Sequence, residues 1–380
     1  MGSWPGKTVI GLTGNIGTGK SVVRRMLEHL GAYGIDADAL ANRAIMKGSP
    51  AYQPVVDMFG RWILGPDEQI DQAKLARMVF ADPEALGRLE AIIHPLVGQA
   101  IDIFARRATQ SVVVIEAIKL FESGLASRCD TVWVTTASQE LQLQRLVQKR
   151  GMSEAAAMQR IQAQGSPQLK IDLANVVIRN EGSFEDTWGQ VYDAWSVMFP
   201  STEEEQAAED AARQGVAGEV VVQRARPRDA AEIATLITQY SGGKRQTGRG
   251  DIMAAFGEKA FLLLRVDGRA LGVVGWKVEN LVAQSDDVFI DPSLPAADAL
   301  SALMNEVERV SKELQCEISL LFLPPDAIAY ETALLSLGYQ RKALGNLGVR
   351  VWEEVAQESM PAGSLMLFKQ LRQDRVLKPV

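Results

Sequence analysis

The residues Gly14, Asn15, Ile16, Gly17, Thr18, Gly19, Lys20 and Ser21 fit the spacing G-x-x-x-x-G-K-[ST]. Glycine weakens helices and strands alike, so such a cluster needs a purpose. An apolar run at residues 8–12 leads in, and residues 21–30 lead out at helical spacing. Strand, loop and helix in that order are the context in which this pattern holds phosphate. The glycines let successive N–H groups turn inward as an anion nest at a helix N-terminus. Lys20 would then reach the β- and γ-phosphates of ATP, and the Ser21 hydroxyl would ligate Mg²⁺. A plain glycine-rich turn is the alternative, and the flanking strand and helix argue against it.

Two carboxylates, Asp36 and Asp38, close a short strand at residues 33–35. In an open parallel sheet, ligands sit beyond the carboxyl ends of the strands, so this strand aims its acids at the nucleotide. One acid is placed to accept a proton from an attacking hydroxyl. The other is expected to cap the next helix, residues 39–46.

These groups need a sheet to position them. Strand-like runs at 8–12, 33–35, 111–115, 131–135 and 176–178 are separated by long helical stretches. That alternation implies a P-loop NTPase-type α/β fold, a parallel sheet with helices on both faces. A polar, Ala- and Glu-rich stretch at 200–218 then breaks the pattern and reads as an exposed acidic linker. Beyond it the expected order is strand 219–224, helix 229–240, strands 260–266, 270–278 and 281–290, helix 296–314, strand 317–323, helix 326–337 and strand 364–370. Asp267, Gly268 and Arg269 make the turn between the first two strands of the central trio. The domains expected are therefore residues 7–199 and 219–380.

Composition narrows the partners. The 380 residues are 47% hydrophobic and 23% charged, ordinary for a globular protein of two domains. A net charge of −7 argues against a broad nucleic-acid-binding surface. Two cysteines, Cys129 and Cys316, suggest a reducing compartment, and two histidines, His29 and His94, are too few for a His-rich metal site. No apolar run reaches spanning length, and the opening Met-Gly-Ser-Trp-Pro-Gly has no apolar leader core, so a cytoplasmic protein with no membrane partner is expected.

The motif Ile35-Asp36-Ala37-Asp38 after such a loop resembles the dephospho-coenzyme A kinase family. The likeness continues through Lys47–Tyr52, Phe59-Gly60, residues 75–82, Leu89–Pro95 with His94, Leu120–Leu125, residues 142–146 and 160–164, and Asn180-Glu181-Gly182. It spans residues 7–198. The resemblance implies transfer of the γ-phosphate of ATP to the ribose 3′-hydroxyl of dephospho-CoA, a phosphotransferase reaction with an alcohol acceptor. It implies that Gly14 to Val22 bind ATP and that Asp38 is the base or orienter. It further implies that Glu116 supports Mg²⁺ through water and that Arg145 neutralises charge on the transferring phosphoryl group. His94 lies in the segment associated with the acceptor, and by itself reads as a helix-terminal hydrogen-bonding residue. The chain departs from the family at Asn15 (usually Gly), Val22 (Thr), Gln72 (Arg), Ile118-Lys119 (Pro-Leu), Asn175 (Asp) and Arg179 (an acid). Two other readings stay open: a nucleotide-binding homologue without catalysis, and a P-loop kinase for another small hydroxyl acceptor.

The second half resembles the GNAT acetyltransferase fold, an α+β domain with a mostly antiparallel sheet. Working members hold acetyl-CoA pyrophosphate on backbone amides of a glycine-bearing turn before the central helix. Here that turn is Asp291-Pro292-Ser293-Leu294-Pro295, without glycine and with two residues lacking N–H. The fold is expected and acetyl transfer is not; the domain's ligand is left unknown. Tyr330 and Tyr339, near where a general acid would fall, read as packing residues. The basic run at residues 242–250 reads as a solvated loop, with an anion grip as the alternative.

Overall fold

The computed structural model describes residues 3–200 and 219–373. Contacts between Cα atoms divide the described chain into two compact units: residues 3–24 with 31–181, and residues 25–30 with 182–200 and 219–373. The linker expected at 200–218 lies, from residue 201 on, outside the described residues.

The first unit, taken with residues 25–29 that complete α1, runs β1 (Thr8–Thr13), α1 (Lys20–His29), β2 (Tyr33–Asp36), α2 (Ala37–Ala44), α3 (Tyr52–Phe59), α4 (Gln72–Ala81), α5 (Pro83–Arg107), β3 (Val112–Glu116), β4 (Thr131–Thr136), α6 (Gln139–Arg150), α7 (Glu154–Ala163), α8 (Gln168–Asp172) and β5 (Val176–Arg179). Its five strands pair in the order β2-β3-β1-β4-β5, all parallel. Every residue of β3 is buried, which is why it reads as an unbroken Val-Val-Val-Ile run and not as an alternation. Aspartates start the helices: Asp71 accepts from the amides of Ala73 and Lys74, and Asp82 from that of Glu84 just ahead of α5. The five strands fall within a residue or so of the expected runs. Their pairing brings the carboxyl ends of β1, β2 and β3 side by side, with Leu12 and Asp36 both in register with Glu116.

The second unit holds α9 (Phe184–Met198), β6 (Val220–Arg224), α10 (Ala230–Tyr240), α11 (Arg249–Ala255), β7 (Ala260–Val266), β8 (Arg269–Glu279), β9 (Val282–Ile290), α12 (Ala296–Glu313), β10 (Ile318–Leu323), α13 (Glu331–Ser336), β11 (Gln340–Arg341), α14 (Arg350–Ser359) and β12 (Leu365–Gln370). A seven-stranded sheet of order β11-β12-β10-β9-β8-β7-β6 results. It is mixed and mostly antiparallel, β9 and β10 being its parallel pair, joined through α12. Leu300, Leu303, Met304 and Val307 of α12 share a core with Leu262, Leu264, Val274 and Trp276. Ile233 and Ile237 of α10 share another with Phe261, Leu263 and Val273. Asp267 and Gly268 both take left-handed angles (φ 50° and 77°), the backbone that a two-residue hairpin turn demands.

Several elements depart from expectation, among them the two-residue strand β11. The helix expected over 326–337 is a 3-10 turn, Pro325–Tyr330, followed by the short α13. Two helices, α11 and α14, occupy stretches with no helix expected. The side chain of Asp251 accepts from the amide of Gly248 at 2.8 Å, capping α11 from a position that sequence periodicity does not show. The basic run before α11 is not free of partners: Arg245 pairs with Asp287.

Candidate active site

The loop between β1 and α1 is held by its carbonyls. Asn15 O accepts from the Thr18 hydroxyl at 2.7 Å, Gly17 O from Arg145 at 3.2 Å, and Thr18 O from the side-chain amide of Asn180 at 3.0 Å. The amides of Ile16, Thr18 and Val22 are spent within the protein, which leaves those of Lys20 and Ser21, the first two residues of α1, as the donors that a helix N-terminus offers an anion. Glycine is required at Gly19: its φ is 93°, and a Cβ there would lie 2.0 Å from Asn180 Nδ2. Gly14 is equally constrained, since its Cβ would come within 2.4 Å of the Thr135 hydroxyl. Asn15 is absent from the left-handed non-glycine residues among those described, so its Cβ costs no backbone strain. Its Nδ2 donates to Gly165 O at 3.1 Å, while Ile16 donates its amide to Gln164 at 2.6 Å and buries its side chain with Leu146, Ala157 and Ile161. Val22 donates its amide to Gly19 O at 3.0 Å.

Lys20, the first residue of α1, is 7% exposed. Burial lowers its pKa, while Glu116 and Asp38 pull it back up. Glu116 sits at the end of β3, 3% exposed, and accepts from the Ser21 hydroxyl at 2.9 Å and from Arg24 at 2.7 Å. Burial alone would raise its pKa; Arg24, Lys20 and the two hydrogen bonds outweigh that and hold it low, so Glu116 is a carboxylate.

Of the two aspartates, Asp36 is the one that caps. Asp36 is the N-cap of α2, its Oδ1 accepting from Ala39 N at 2.8 Å. This starts the helix two residues earlier than expected. Asp38, in the first turn of the same helix, accepts instead from the amide of Ile118 at 3.1 Å. Burial raises the pKa of Asp38, opposed by Lys20, the Ile118 amide and Lys170. That is the setting of a carboxylate able to take up a proton.

Arg145, on α6, is half-buried and also donates to Asn180 O at 2.8 Å, placing its guanidinium beside the loop. His94 is exposed within α5, one residue before Pro95, and not at a helix end. Sequence reasoning assigned no role to Arg24, Asn180 or Lys170. Arg24 carried a signal, standing one helical turn after Ser21 and so on the same face. Asn180 sits within the quoted Asn-Glu-Gly motif, and nothing in the local sequence marks Lys170.

Ser21 and Glu116 offer two adjacent oxygen donors of the hard type that Mg²⁺ prefers, and Mg²⁺ commonly takes one or two protein oxygens with phosphates and water. Among the described residues no group of three or more His, Cys, Asp or Glu side chains forms a metal cage. The donors therefore fit an ion shared with a nucleotide.

In the second unit, the turn from β9 into α12 spends its amides internally. Ser293 N donates to Asp291 Oδ1 at 2.8 Å, Leu294 N to Asp291 O at 3.0 Å, and the amides of Asp298 and Ala299 both reach Pro295 O at 3.1 Å. Tyr339 is buried with its hydroxyl 3.1 Å from that of Ser319, and Tyr330 packs against the same core. No described helix is long and apolar enough to cross a membrane.

A glycine loop entering a helix that begins with lysine, with carboxylates at the ends of the neighbouring strands, defines the first unit as a P-loop kinase. The family model for dephospho-CoA kinase matches residues 8–186. The dephospho-CoA kinase of Geobacter metallireducens is 46% identical over 190 residues, covering 49% of this chain and 94% of that protein. That of Geobacter sulfurreducens is 41% identical over 195 residues, covering 50% and 99%. The chain belongs to the dephospho-CoA kinase family. Among solved structures, a GNAT-family acetyltransferase from Staphylococcus aureus aligns over 40% of this chain and 100% of its own, at 12% identity and a TM-score of 0.34.

Proposed function

We propose that the chain phosphorylates the ribose 3′-hydroxyl of dephospho-CoA with ATP, yielding coenzyme A and ADP. The observation that carries this reading is the meeting of buried Lys20 and Glu116 with half-buried Asp38 and Ser21 at the carboxyl ends of β1, β2 and β3. Asp38 accepts the proton of the 3′-hydroxyl as its oxygen bonds to the γ-phosphorus and the bond from the γ-phosphorus to the β,γ-bridging oxygen breaks. Lys20 and Arg145 neutralise the charge that spreads over the phosphoryl oxygens, the main contribution a protein makes to such a transfer. Ser21 and Glu116 would hold Mg²⁺, which neutralises phosphate charge when bound. Arg24 keeps the Glu116 carboxylate ionised and fixed.

Residues 219–380 are an appended GNAT-like domain that binds or regulates without transferring acetyl groups. The internally bonded amides around Asp291 and Pro295 support this, since a pyrophosphate would have to displace them.

The test is ATP turnover by the purified chain with dephospho-CoA against a panel of other hydroxyl compounds. Stoichiometric formation of coenzyme A and ADP is expected. Preference for another acceptor overturns the substrate assignment, and ATP binding without any transfer overturns the assignment as an enzyme.

A further inference from the structure

We propose that the backbone of Ile118 is the positioning element for Asp38, its amide holding one carboxylate oxygen while Lys170 and Thr13 clamp its carbonyl. This rests on Asp38 acting at the acceptor hydroxyl.

The backbone of Ile118 is tied on both sides of its Cα. Its N–H donates to Asp38 Oδ2 at 3.1 Å. Its carbonyl accepts from Lys170 Nζ at 2.8 Å and from the Thr13 hydroxyl at 3.1 Å. One residue earlier, Ala117 N donates to Leu12 O at 3.0 Å, which anchors the strand end to β1. Three elements, β1, β3 and α8, therefore converge on the backbone of one residue, and its amide holds the base. Lys170 is 8% exposed, a costly place for an ammonium, and the bond to Ile118 O is what satisfies it there. The charged groups facing Asp38 are Lys20 from α1, Lys170 from α8, Glu116 from β3 and Asp36 from β2.

The bond to Asp38 needs an N–H at position 118. Proline has no N–H. The bond to Asp38 is thus one that the isoleucine makes possible, and it fixes Oδ2 so that Oδ1 is left for the acceptor proton. A hydrogen bond from an amide to a charged oxygen is among the stronger kinds, so its removal has a measurable consequence.

The experiment uses the full chain and measures kcat and the KM for each substrate. Ile118→Pro should lower kcat about tenfold with the KM for ATP unchanged, as loss of a charge-assisted bond predicts. Ile118→Ala, which restores the amide, should recover most of the lost turnover. Lys170→Met, which keeps the stem and removes the donor, should also lower kcat, and it decides the question if the proline variant does not fold. In an Asp38→Asn background both substitutions should have little further effect, because the group they position no longer takes a proton. Equal losses in both backgrounds would mean a merely structural role and overturn the proposal. So would normal turnover in Ile118→Pro or Lys170→Met while Asp38→Asn alone is crippling. A harmless Asp38→Asn would instead remove the base assignment on which this rests.

Discussion

Two strand-to-helix junctions in this chain occupy equivalent places and have opposite chemistry. Between β1 and α1, side chains take up three of the loop's carbonyls: Thr18, from within the loop, at Asn15 O, and Arg145 and Asn180, from far along the chain, at Gly17 O and Thr18 O. Between β9 and α12, the backbone donors are taken up instead, two by Asp291 and two by Pro295 O, and Pro292 and Pro295 have no donors to give. Both junctions open a helix, so both have the favourable end of a helix dipole. What separates an anion site from a closed turn is which backbone groups already have partners. The glycines matter because they allow the first arrangement, as the contact of a Cβ at Gly19 with Asn180 shows.

Removing the lysine tests the first junction most severely. Lys20→Ala should cut turnover by about 10³-fold or more with unchanged circular dichroism, since charge on the transferring group loses its nearest cation. Near-normal turnover would overturn the kinase assignment. Asp38→Asn, almost isosteric, should lower kcat about 10²-fold while ATP still binds. If Asp36→Asn proves the crippling change and Asp38→Asn is mild, the cap and the base have been exchanged. Gly19→Ala should destabilise the protein by about 1–3 kcal/mol through its strained backbone and the collision with Asn180, read as a lower midpoint of thermal unfolding, and should weaken ATP binding. An unchanged midpoint would show that Asn180 can move aside.

Acidity narrows the working range of the same site. Asp38 must be ionised to take a proton, and its pKa lies above the ordinary 3.8. Lys20 must be charged, and its pKa lies below the ordinary 10.5. Activity should therefore rise with pH at a point above 3.8 and fall at a point below 10.5, a bell drawn in from both sides. A kcat/KM profile whose limbs sit at or outside the ordinary values counts against these assignments. The smallest effect belongs to the second junction. The full chain should release no coenzyme A from acetyl-CoA in the presence of amine acceptors, and measurable acetyl transfer would erase the contrast drawn between the two turns.

Much of the first unit was legible because its signals are local. A phosphate loop, its strand and its helix lie within a couple of dozen residues, and the buried strands announce themselves as apolar runs. The capping role of one aspartate was legible too, though only the structure assigns it to Asp36. The links that complete the site were not, because each joins residues far apart: Arg145 with Gly17, Asn180 with Thr18, Lys170 with Ile118. In the second unit α14 escaped notice although its apolar face, Val351, Trp352, Val355 and Ala356, is regular. The glycines and polar residues just before it read as loop. Trp352 is fixed by a donation to Glu317, 35 positions away.

The bond from Asn180 to Thr18 also sets a schedule. The two residues are 162 positions apart. A ribosome adding about 5–20 residues each second needs about 8–32 seconds to cover that distance. Throughout that time the loop between the first strand and helix lacks the partner that shapes it. The nucleotide site is then one of the last parts of the first unit to be finished, although its signature is among the first to be made. Nascent chains arrested before residue 180 should fail to retain ATP, whereas chains arrested once that residue has cleared the ribosome should retain it. Retention by the shorter chains would show that the loop takes shape without waiting for Asn180.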